Sequence, residues 1–250
     1  MNENVTLYEN ERIDQLYANA IQIIQSSEVF SFSLDAVLLA NFPQLPKRGQ
    51  IVDLCSGNGA VSLFMSQKTP AKITQIELQA RLSDMAKRSV ALNQKTEQIQ
   101  VIQADLKEAP KLIGHDCIDL IVCNPPYFKD LPTNHKNPNP YLAIARHEIH
   151  TNLETVIQTS AKLLKMNGRL ALVHRPERFL EIIEIMQKYQ IMPKRVQFVY
   201  PKADKAANIL LVEGILHGKK DGFKVLPPLF TYDAQGEYTP EIKRMLYGNE

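Results

Sequence analysis

Ile51-Val52-Asp53-Leu54-Cys55-Ser56-Gly57-Asn58-Gly59 joins a short apolar run to a turn that contains two glycines. The apolar half has the length and composition of a buried strand. Glycine adopts positive φ at little steric cost and lets a backbone approach a ligand closely, so the second half predicts a tight turn. Residues 60–66 continue with helical composition, and this helix must end before Pro70. The stretch therefore predicts a strand, a glycine turn and a helix in succession.

The same alternation continues along the chain. Strands are predicted at residues 51–55, 72–77, 98–103, 118–123 and 169–173, and helices at 60–66, 78–93, 151–164 and 176–190. Two further strands, 195–200 and 208–216, are joined by a short polar link without a helix, which predicts an antiparallel hairpin. The pattern indicates an α/β protein with a Rossmann-like, doubly wound sheet that is mostly parallel and ends in a C-terminal antiparallel hairpin.

The sequence on either side of this alternation is less regular. Residues 1–25 are polar, and their scattered apolar positions allow either a helix or a strand. Residues 34–40 predict a helix with Ser33 as its N-cap, which Pro43 ends and whose N-terminus could help define a cofactor pocket. We expect an N-terminal extension at 1–30, one domain at 31–217 and a loosely packed C-terminal extension at 218–250.

Composition limits the class of protein. The chain has 250 residues, of which 44% are hydrophobic, and this is enough for one large domain or for one domain with a small appendage. A net charge of +2 is too near neutral to indicate nucleic-acid binding by itself. Cys55, Cys117 and Cys123 have no metal-ligand spacing, which favours reduced thiols. The polar N-terminus is unlike a signal peptide, and no apolar run reaches the ~18 residues of a membrane span. We expect a cytoplasmic protein.

Polar side chains end four of the predicted strands: Asp53, Glu77, Asp105 and Asn124. Because ligands of doubly wound sheets bind at the carboxyl ends of the strands, we expect these four residues to converge on one crevice. A carboxylate at the position of Glu77 can accept hydrogen bonds from both hydroxyls of a ribose. Asp105, or the backbone beside it, lies where the edge of an adenine would bind. The crevice is therefore predicted to hold a nucleoside-containing cofactor.

Two cofactors compete for such a crevice. A nicotinamide dinucleotide requires a third glycine at the position of Ser62, so that fingerprint is incomplete. S-adenosyl-L-methionine has no phosphate and carries a sulfonium. The acid Asp53 before the glycines suits this cation better than a diphosphate. The sequence favours S-adenosyl-L-methionine.

The motif Asn124-Pro125-Pro126-Tyr127 follows the strand at 118–123. Proline offers no N–H to a sheet, so the two prolines end the strand and form a stiff turn. A side-chain amide, backbone carbonyls freed from the sheet and an aromatic ring then lie close together. This set suits a flat, amino-bearing substrate, because oxygens can accept from the amino group while a ring stacks on the plane.

These motifs together resemble the class I S-adenosylmethionine-dependent methyltransferases that act on planar amino groups. More narrowly, the segment from Phe32 to Gly214 resembles the bacterial tRNA(Val) adenine-N6-methyltransferases and their relatives with a small methyltransferase domain. Cys55 stands where the generic pattern of the class has a glycine. Because Cys55 is small, we expect a slightly tighter turn with binding retained.

The resemblance implies a role for each matched residue. It assigns Gly57, Gly59 and Asp53 to the methionine end of the cofactor, Glu77 to the ribose and Asp105 to the adenine ring. The implied cofactor-binding set is Asp53, Cys55, Ser56, Gly57, Asn58, Gly59, Glu77, Leu78, Asp105, Leu106 and Asn124. The implied catalytic set is Asn124, Pro125, Pro126 and Tyr127. In it Asn124 and the Pro125 carbonyl accept hydrogen bonds from the substrate amino group, and Tyr127 stacks on its base.

An RNA substrate requires a cationic surface near the pocket. Residues 188–224 carry eight basic and three acidic side chains, an excess larger than the +2 of the whole chain, and predict a basic surface. The Asn- and Pro-rich loop at 128–147 could order on substrate. Arg175 and Arg178 follow the fifth strand and could also contact phosphate. The candidate RNA-binding residues are Lys129, Arg146, Arg175, Lys202 and Lys205.

A metal site is not expected. His135 and His147 lie in the loop at 128–147, but no cysteine or acid completes a set of ligands with them.

The function that the sequence predicts is methyl transfer to the exocyclic amino group of a nucleobase, with adenine N6 in tRNA as the first choice. The same chemistry could act on a protein glutamine amide or on the amino group of guanine. Release-factor methyltransferases usually carry a separate N-terminal helical domain, and residues 1–30 are too few for one. A non-catalytic RNA-binding protein of the same fold is a second alternative, and a nicotinamide-dependent reductase is a third.

Overall fold

Strands and helices alternate through most of the chain. A computed structural model describes residues 5–16, 20–29, 31–128 and 139–248. The strands in these ranges are β1 (Glu11–Leu16), β2 (Ile21–Ser26), β3 (Gln50–Leu54), β4 (Lys72–Glu77), β5 (Ile99–Gln103), β6 (Ile118–Cys123), β7 (Leu164–His174), β8 (Ile191–Tyr200), β9 (Ile209–Leu216), β10 (Lys224–Val225) and β11 (Leu229–Phe230). The α-helices are α1 (Leu34–Asn41), α2 (Ala60–Ser66), α3 (Ala80–Leu92), α4 (Ala109–Ile113), α5 (Pro140–Arg146), α6 (Leu153–Leu163), α7 (Phe179–Lys188) and α8 (Pro240–Tyr247). Short 3-10 helices precede α4 and α7.

The strands from β3 onward form one nine-stranded sheet in the order β10-β8-β9-β7-β6-β3-β4-β5, with β11 also paired to β8. Neighbouring strands from β5 to β7 are parallel, and β9 is antiparallel to both β7 and β8. β8 consequently runs in the same direction as β7. The predicted doubly wound, mostly parallel sheet with a C-terminal antiparallel hairpin is confirmed.

Both faces of the sheet are covered by helices, which explains why its central strands are mostly apolar. Alternate residues of one strand belong to opposite sides of the core: Ile51 packs on one side, and Val52 and Leu54 pack on the other. The first side is closed by α1, α2, α8 and the strand β2. The second side is closed by α4, α6 and α7. The ends of the strands are therefore the part of the sheet that the helices leave accessible.

The N-terminal segment, for which the sequence allows a helix or a strand, forms an antiparallel hairpin of β1 and β2. Ile21, Ile23 and Ile24 are fully buried. The side chain of Asn93 at the end of α3 binds the backbone of Gln22 twice, accepting from its N–H at 2.9 Å and donating to its carbonyl at 2.6 Å. These two hydrogen bonds therefore fasten the hairpin to α3, and they occupy backbone groups of β2 that a further strand would otherwise bind.

The helices of the described chain are short, and α3 is the longest with 13 residues. α1 ends at Asn41, before Pro43, as the sequence predicts. Ser33 occupies its N-cap position, although the Ser33 hydroxyl accepts no capping hydrogen bond. None of the helices in the described ranges is long and apolar enough to cross a membrane.

The C-terminal segment is packed more firmly than the sequence indicates. β10 and β11 both pair with β8, and α8 packs on α1. Leu229 is 2% exposed and Ile242 is fully buried. The expectation of a loosely packed tail is therefore wrong, because apolar residues separated by polar turns still reach the core. The domain boundaries after residues 30 and 217 stay a prediction.

Replacing Ile242 with alanine tests this packing. Because the side chain is fully buried between α8 and α1, we expect the free energy of unfolding to fall by about 2–5 kcal/mol in a urea titration. Lys243→Ala, at the exposed neighbouring position, is the matched control and should change it by less than about 0.5 kcal/mol. Equal effects of the two substitutions would mean that α8 is not part of the cooperative unit.

Candidate active site

A cavity of about 390 Å³ opens at the carboxyl ends of β3, β4, β5 and β6. It lies within the size range of small-molecule binding sites. The predicted site residues that line it are Cys55, Ser56, Gly57, Asn58, Glu77, Leu78, Asp105, Leu106, Asn124, Pro125, Pro126, Tyr127 and Arg175. Asp53 and Gly59 are not among the lining residues. The structure therefore brings most of the predicted set to one cavity.

The glycine turn between β3 and α2 has three residues with positive φ: Cys55 at 57°, Gly57 at 57° and Gly59 at 88°. The positive φ of Gly59 favours glycine, and a Cβ atom there would lie 2.9 Å from Nε2 of Gln75 and would displace that side-chain amide. A Cβ on Gly57 would meet nothing within 4 Å. Cys55 is held in the left-handed region that costs a side-chain-bearing residue about 1–2 kcal/mol. This backbone conformation explains why a glycine suits that position in the generic pattern.

Asp53 lies beneath the turn. It is 1% exposed, and its Oδ2 accepts a hydrogen bond of 2.7 Å from the Ser62 hydroxyl, whereas Oδ1 has no partner among the described residues. Burial raises the pKa of Asp53 to about 7. Ser62, which matters in the sequence only as a missing third glycine, thus has a structural role as the partner of this acid. Direct contact between Asp53 and a cofactor stays a prediction.

Glu77 links the end of β4 to the glycine turn. Its Oε2 accepts from the Gly57 N–H and its Oε1 accepts from the Gln79 N–H, both at 2.8 Å. Burial raises the pKa of Glu77, and these backbone hydrogen bonds oppose the rise. The carboxylate is consequently oriented at the cavity wall, where each oxygen retains a further acceptor site.

The other cofactor candidates support the cavity in different ways. The Asn58 side chain donates to the Ile24 carbonyl at 3.2 Å, which ties the turn to the N-terminal hairpin. Oδ1 of Asp105 accepts from the Lys107 N–H at 2.9 Å and caps the 3-10 helix Leu106–Glu108. The two side chains therefore shape the wall, and their contacts with a cofactor stay predictions.

The motif at 124–127 forms the opposite wall. The hydroxyl of Tyr127 lies 2.6 Å from Oδ1 of Asn124 and 2.7 Å from Oδ2 of Asp35 in the first turn of α1. The Tyr127 ring contacts the imidazole of His174 at a centroid distance of 5.0 Å, and the Arg175 guanidinium lies 5.8 Å from its centroid. Stacking of Tyr127 on a base stays a prediction.

Arg178 is hydrogen-bonded to the backbone of this turn. It is 8% exposed, and its guanidinium donates to the Tyr127 carbonyl and to the Glu148 carboxylate at 3.2 Å and to Glu181 at 2.7 Å. These partners leave Arg178 buried in an internal network. The expectation that Arg178 could contact a phosphate is therefore wrong, because its charge is neutralised inside the fold.

Three residues in or beside the cavity wall are absent from the site residues that the sequence predicts: Asp35 and His147 line the cavity, and His174 contacts the ring of Tyr127. Asp35 lies in the first turn of α1, the helix whose N-terminus the sequence predicts to help define the pocket. His147 is 8% exposed, contacts Phe128 at 5.6 Å and has an Nδ1 without a partner in the described ranges. His174 is buried, its Nδ1 accepts from the Arg175 N–H, and burial lowers its pKa to about 3, so it is neutral. These residues reach the site through tertiary packing.

The described residues contain no group of three or more His, Cys, Asp or Glu side chains that could hold a metal. His135, one of the two histidines considered in the sequence, lies outside the described residues. His147 stands beside Phe128 in the cavity wall.

The basic residues at 188–224 are divided between the carboxyl ends and the amino ends of the sheet strands. Lys202 and Lys205 follow the carboxyl end of β8, on the same edge as the cavity, because β8 runs parallel to β7. Lys194, Lys219, Lys220 and Lys224 lie at the amino end of β8. Lys188 and Arg195 form ion pairs with Glu154 and Glu213. The basic residues at 188–224 therefore do not all share one surface, and RNA binding by any of them stays a prediction.

The remaining candidates for RNA contact differ in whether the structure describes them. Arg175 lines the cavity, and its guanidinium donates to the Asn208 carbonyl at 2.7 Å. Lys129 and the side chain of Arg146 lie outside the described part of the chain. Among the described candidates, Arg175 lines the cavity, and Lys202 and Lys205 lie at the same ends of the strands as the cavity.

Comparison with known proteins identifies the family. Residues 20–202 match the family model "Methyltransferase small domain". The chain belongs to this family. It is similar to the tRNA1(Val) (adenine(37)-N6)-methyltransferase of Parabacteroides distasonis, with 31% identity over 72% of this chain and 74% of the relative. The protein of the same name from Porphyromonas gingivalis is 28% identical over 84% of this chain and 85% of its own length. The predicted family is confirmed.

Solved structures of methyltransferases share the fold. A protein described as a predicted O-methyltransferase from Agrobacterium tumefaciens aligns with a TM-score of 0.67 and 22% identity over 84% of this chain and 94% of its own. A geranyl diphosphate C-methyltransferase from Streptomyces coelicolor aligns with a TM-score of 0.55 and 11% identity over 73% and 79%. At these identities the likeness concerns the fold alone.

The buried acid beneath the turn predicts a pH dependence of stability. With a pKa of about 7 in the folded protein and ~3.9 in the unfolded chain, Asp53 binds more protons when folded, so stability falls as the pH rises from about 4 to 7. Asp53→Asn, which stays neutral, should exceed the parent in free energy of unfolding by about 4 kcal/mol at pH 8 and by only about 1.5 kcal/mol at pH 5.

Urea titrations without cofactor at the two pH values measure this difference. Ser62→Ala serves as a second variant, because it removes the hydroxyl that stabilises the ionised acid. A difference between parent and Asp53→Asn that is the same at pH 5 and pH 8 would contradict the raised pKa.

Proposed function

We propose that this protein transfers a methyl group from S-adenosyl-L-methionine to the N6 amino group of adenine in tRNA. The observation that carries the proposal is the position of Asn124 at the carboxyl end of β6, on the same cavity as Glu77 and the glycine turn. Family membership supports methyl transfer as the chemistry. The relatives named tRNA1(Val) (adenine(37)-N6)-methyltransferase support adenine in tRNA as the acceptor.

The residues of the cavity suit this cofactor. Glu77 offers carboxylate oxygens to ribose hydroxyls, and the open space at Gly57 leaves room for a ligand against the backbone. Leu78 and Leu106 supply apolar surface for a purine ring, next to Asp105. S-adenosyl-L-methionine, when bound, supplies an electrophilic methyl group on its sulfonium. The two raised acid pKa values also mean that a bound cation would stabilise carboxylates that burial disfavours.

Asn124 and the Pro125 carbonyl would hold the acceptor. Each offers an oxygen to one hydrogen of an exocyclic amino group, which fixes the direction of the nitrogen lone pair. Such fixed orientation can contribute at most about 7–11 kcal/mol to lowering the barrier of a two-substrate reaction. A strong general base is not required, because the amino group can lose its proton after transfer. His174, which is neutral and buried, supports the ring of Tyr127.

The tRNA would bind across the cavity edge. Arg175 lines the cavity, and Lys202 and Lys205 extend cationic charge along the same edge of the sheet. We assign these three residues to phosphate contacts, and Lys129 and Arg146 to the same role because they belong to the segment at 128–147 that follows the motif in the sequence. A cytoplasmic location follows from the proposed substrate.

Transfer of label tests the proposal. The protein is incubated with tritiated S-adenosyl-L-methionine and tRNA that lacks its native modification, and the product nucleosides are separated. We expect label in N6-methyladenosine. Asn124→Ala should lower kcat about 100-fold with little change in cofactor affinity, because it removes an oxygen that orients the acceptor.

Other outcomes identify other functions. Label in guanosine or in protein glutamine, with cofactor binding intact, would replace adenine as the acceptor. Absence of cofactor binding in calorimetry would favour a non-catalytic RNA-binding protein. An equal loss of turnover and cofactor affinity in Asn124→Ala would refute the role of Asn124 as a holder of the acceptor.

The division of the basic residues gives a matched test of the RNA surface. Lys202→Ala/Lys205→Ala should raise KM for tRNA roughly tenfold at low salt and lessen its dependence on salt, because two phosphate contacts are lost. Lys219→Ala/Lys220→Ala removes the same charge from the opposite edge and should leave KM unchanged. An equal rise of KM in both double variants would mean that only net charge matters.

A further inference from the structure

The hydroxyl of Tyr127 has two neighbours but only one proton to donate. It lies 2.7 Å from Oδ2 of Asp35 and 2.6 Å from the side-chain amide oxygen of Asn124. Both neighbouring atoms are oxygens that accept hydrogen bonds, whereas a phenol can donate only one hydrogen bond. Burial and the nearby Asp35 carboxylate raise the pKa of Tyr127 well above its usual value, so the phenol keeps that proton. One of the two neighbours must therefore donate a hydrogen to the phenolic oxygen instead of accepting one from it.

The oxygen and nitrogen of an asparagine side chain are assigned from their hydrogen-bond partners. If Tyr127 donates to Oδ1 of Asn124, the Asp35 carboxylate faces the lone pairs of the phenolic oxygen at 2.7 Å, with no hydrogen between them. Turning the Asn124 amide by half a turn removes the conflict. Tyr127 then donates to Asp35, and the Nδ2–H of Asn124 donates to the phenolic oxygen. Every short contact in the group then contains one hydrogen.

We propose that Asp35 is a positioning residue that acts through Tyr127 to set the orientation of the Asn124 amide. With its Nδ2 bound to Tyr127, Asn124 presents the carbonyl oxygen to the acceptor, and this oxygen accepts a hydrogen from the amino group. The opposite orientation would present an N–H to an amino group and repel it. This inference rests on the proposed function, because it requires an amino-bearing acceptor.

The fold holds the three residues rigidly enough for this purpose. Asp35 lies in the first turn of α1, whose residues 36–40 are buried in the core. Arg178 fastens the Tyr127 carbonyl, and the His174 imidazole contacts the ring. Pro125 and Pro126, both buried, limit the backbone between Asn124 and Tyr127. The side-chain amide of Asn124 is left as the freely rotating part, and the link to Asp35 constrains it.

Kinetics of Asp35→Ala, Tyr127→Phe and the double variant test the proposal. Each single substitution should lower kcat about 10–100-fold, as loss of one or two orienting hydrogen bonds predicts. KM for tRNA and the dissociation constant of S-adenosyl-L-methionine should each stay within about threefold. Tyr127→Phe retains the ring, so any stacking on the base is preserved. Because both substitutions break the same link, the double variant should be no slower than the slower single variant.

Two further variants separate positioning from general damage. Asp35→Asn keeps an oxygen that can accept from Tyr127, and it should recover part of the kcat lost in Asp35→Ala. Asn41→Ala removes a side chain that binds the Val37 carbonyl at the far end of the same helix, and it should leave kcat unchanged. In the parent protein, NMR should find the side-chain amide of Asn124 protected from exchange, and Tyr127→Phe should abolish this protection.

Distinct results would overturn the two proposals. Wild-type kcat in Asp35→Ala and Tyr127→Phe, in a protein that methylates tRNA, would refute the positioning role and leave the proposed function intact. Multiplied losses in the double variant would also refute it, because the two residues would then act separately. Failure of the parent protein to methylate any amino group would overturn the proposed function and this inference with it.

Discussion

The common direction of β3, β4, β5 and β6 is the constraint on which the site depends. Parallel strands bring their carboxyl ends to one edge, so Glu77, Asp105 and Asn124, which are far apart in sequence, meet at one cavity. The two prolines after Asn124 end β6 at this edge and free polar groups that a longer strand would use. The helices on both faces leave the edge as the accessible side.

The cavity is built from polar groups that the fold partly desolvates. Asp53 and Glu77 are both buried, and burial raises the pKa of each. Backbone N–H groups of the glycine turn and the Ser62 hydroxyl offset this cost only in part. Such under-satisfied groups are typical of sites that are completed by a ligand.

The regions outside the alternating strands and helices support the site. The N-terminal hairpin receives a hydrogen bond from Asn58 in the glycine turn, and α8 packs on α1, which carries Asp35. The topology of β8 and β9 places Lys202 and Lys205 at the same ends of the strands as the cavity, and Lys194 and Lys224 toward the opposite ends. Position in the sheet, more than net charge, decides which basic residues are candidates for RNA contact.

The sequence by itself determined the fold class, the succession of strands and helices along the chain and the residues at the strand ends. Those features follow from local patterns: apolar runs of strand length, glycines at Gly57 and Gly59, and prolines that end β6. The tertiary structure alone decided that Asp35 meets Tyr127, that Arg178 is buried, that Leu229 and Ile242 join the core and that the lysines at 188–224 separate. The physical reason is that these contacts depend on which elements become neighbours, and a side chain's spacing along the chain carries no record of a partner about ninety residues away.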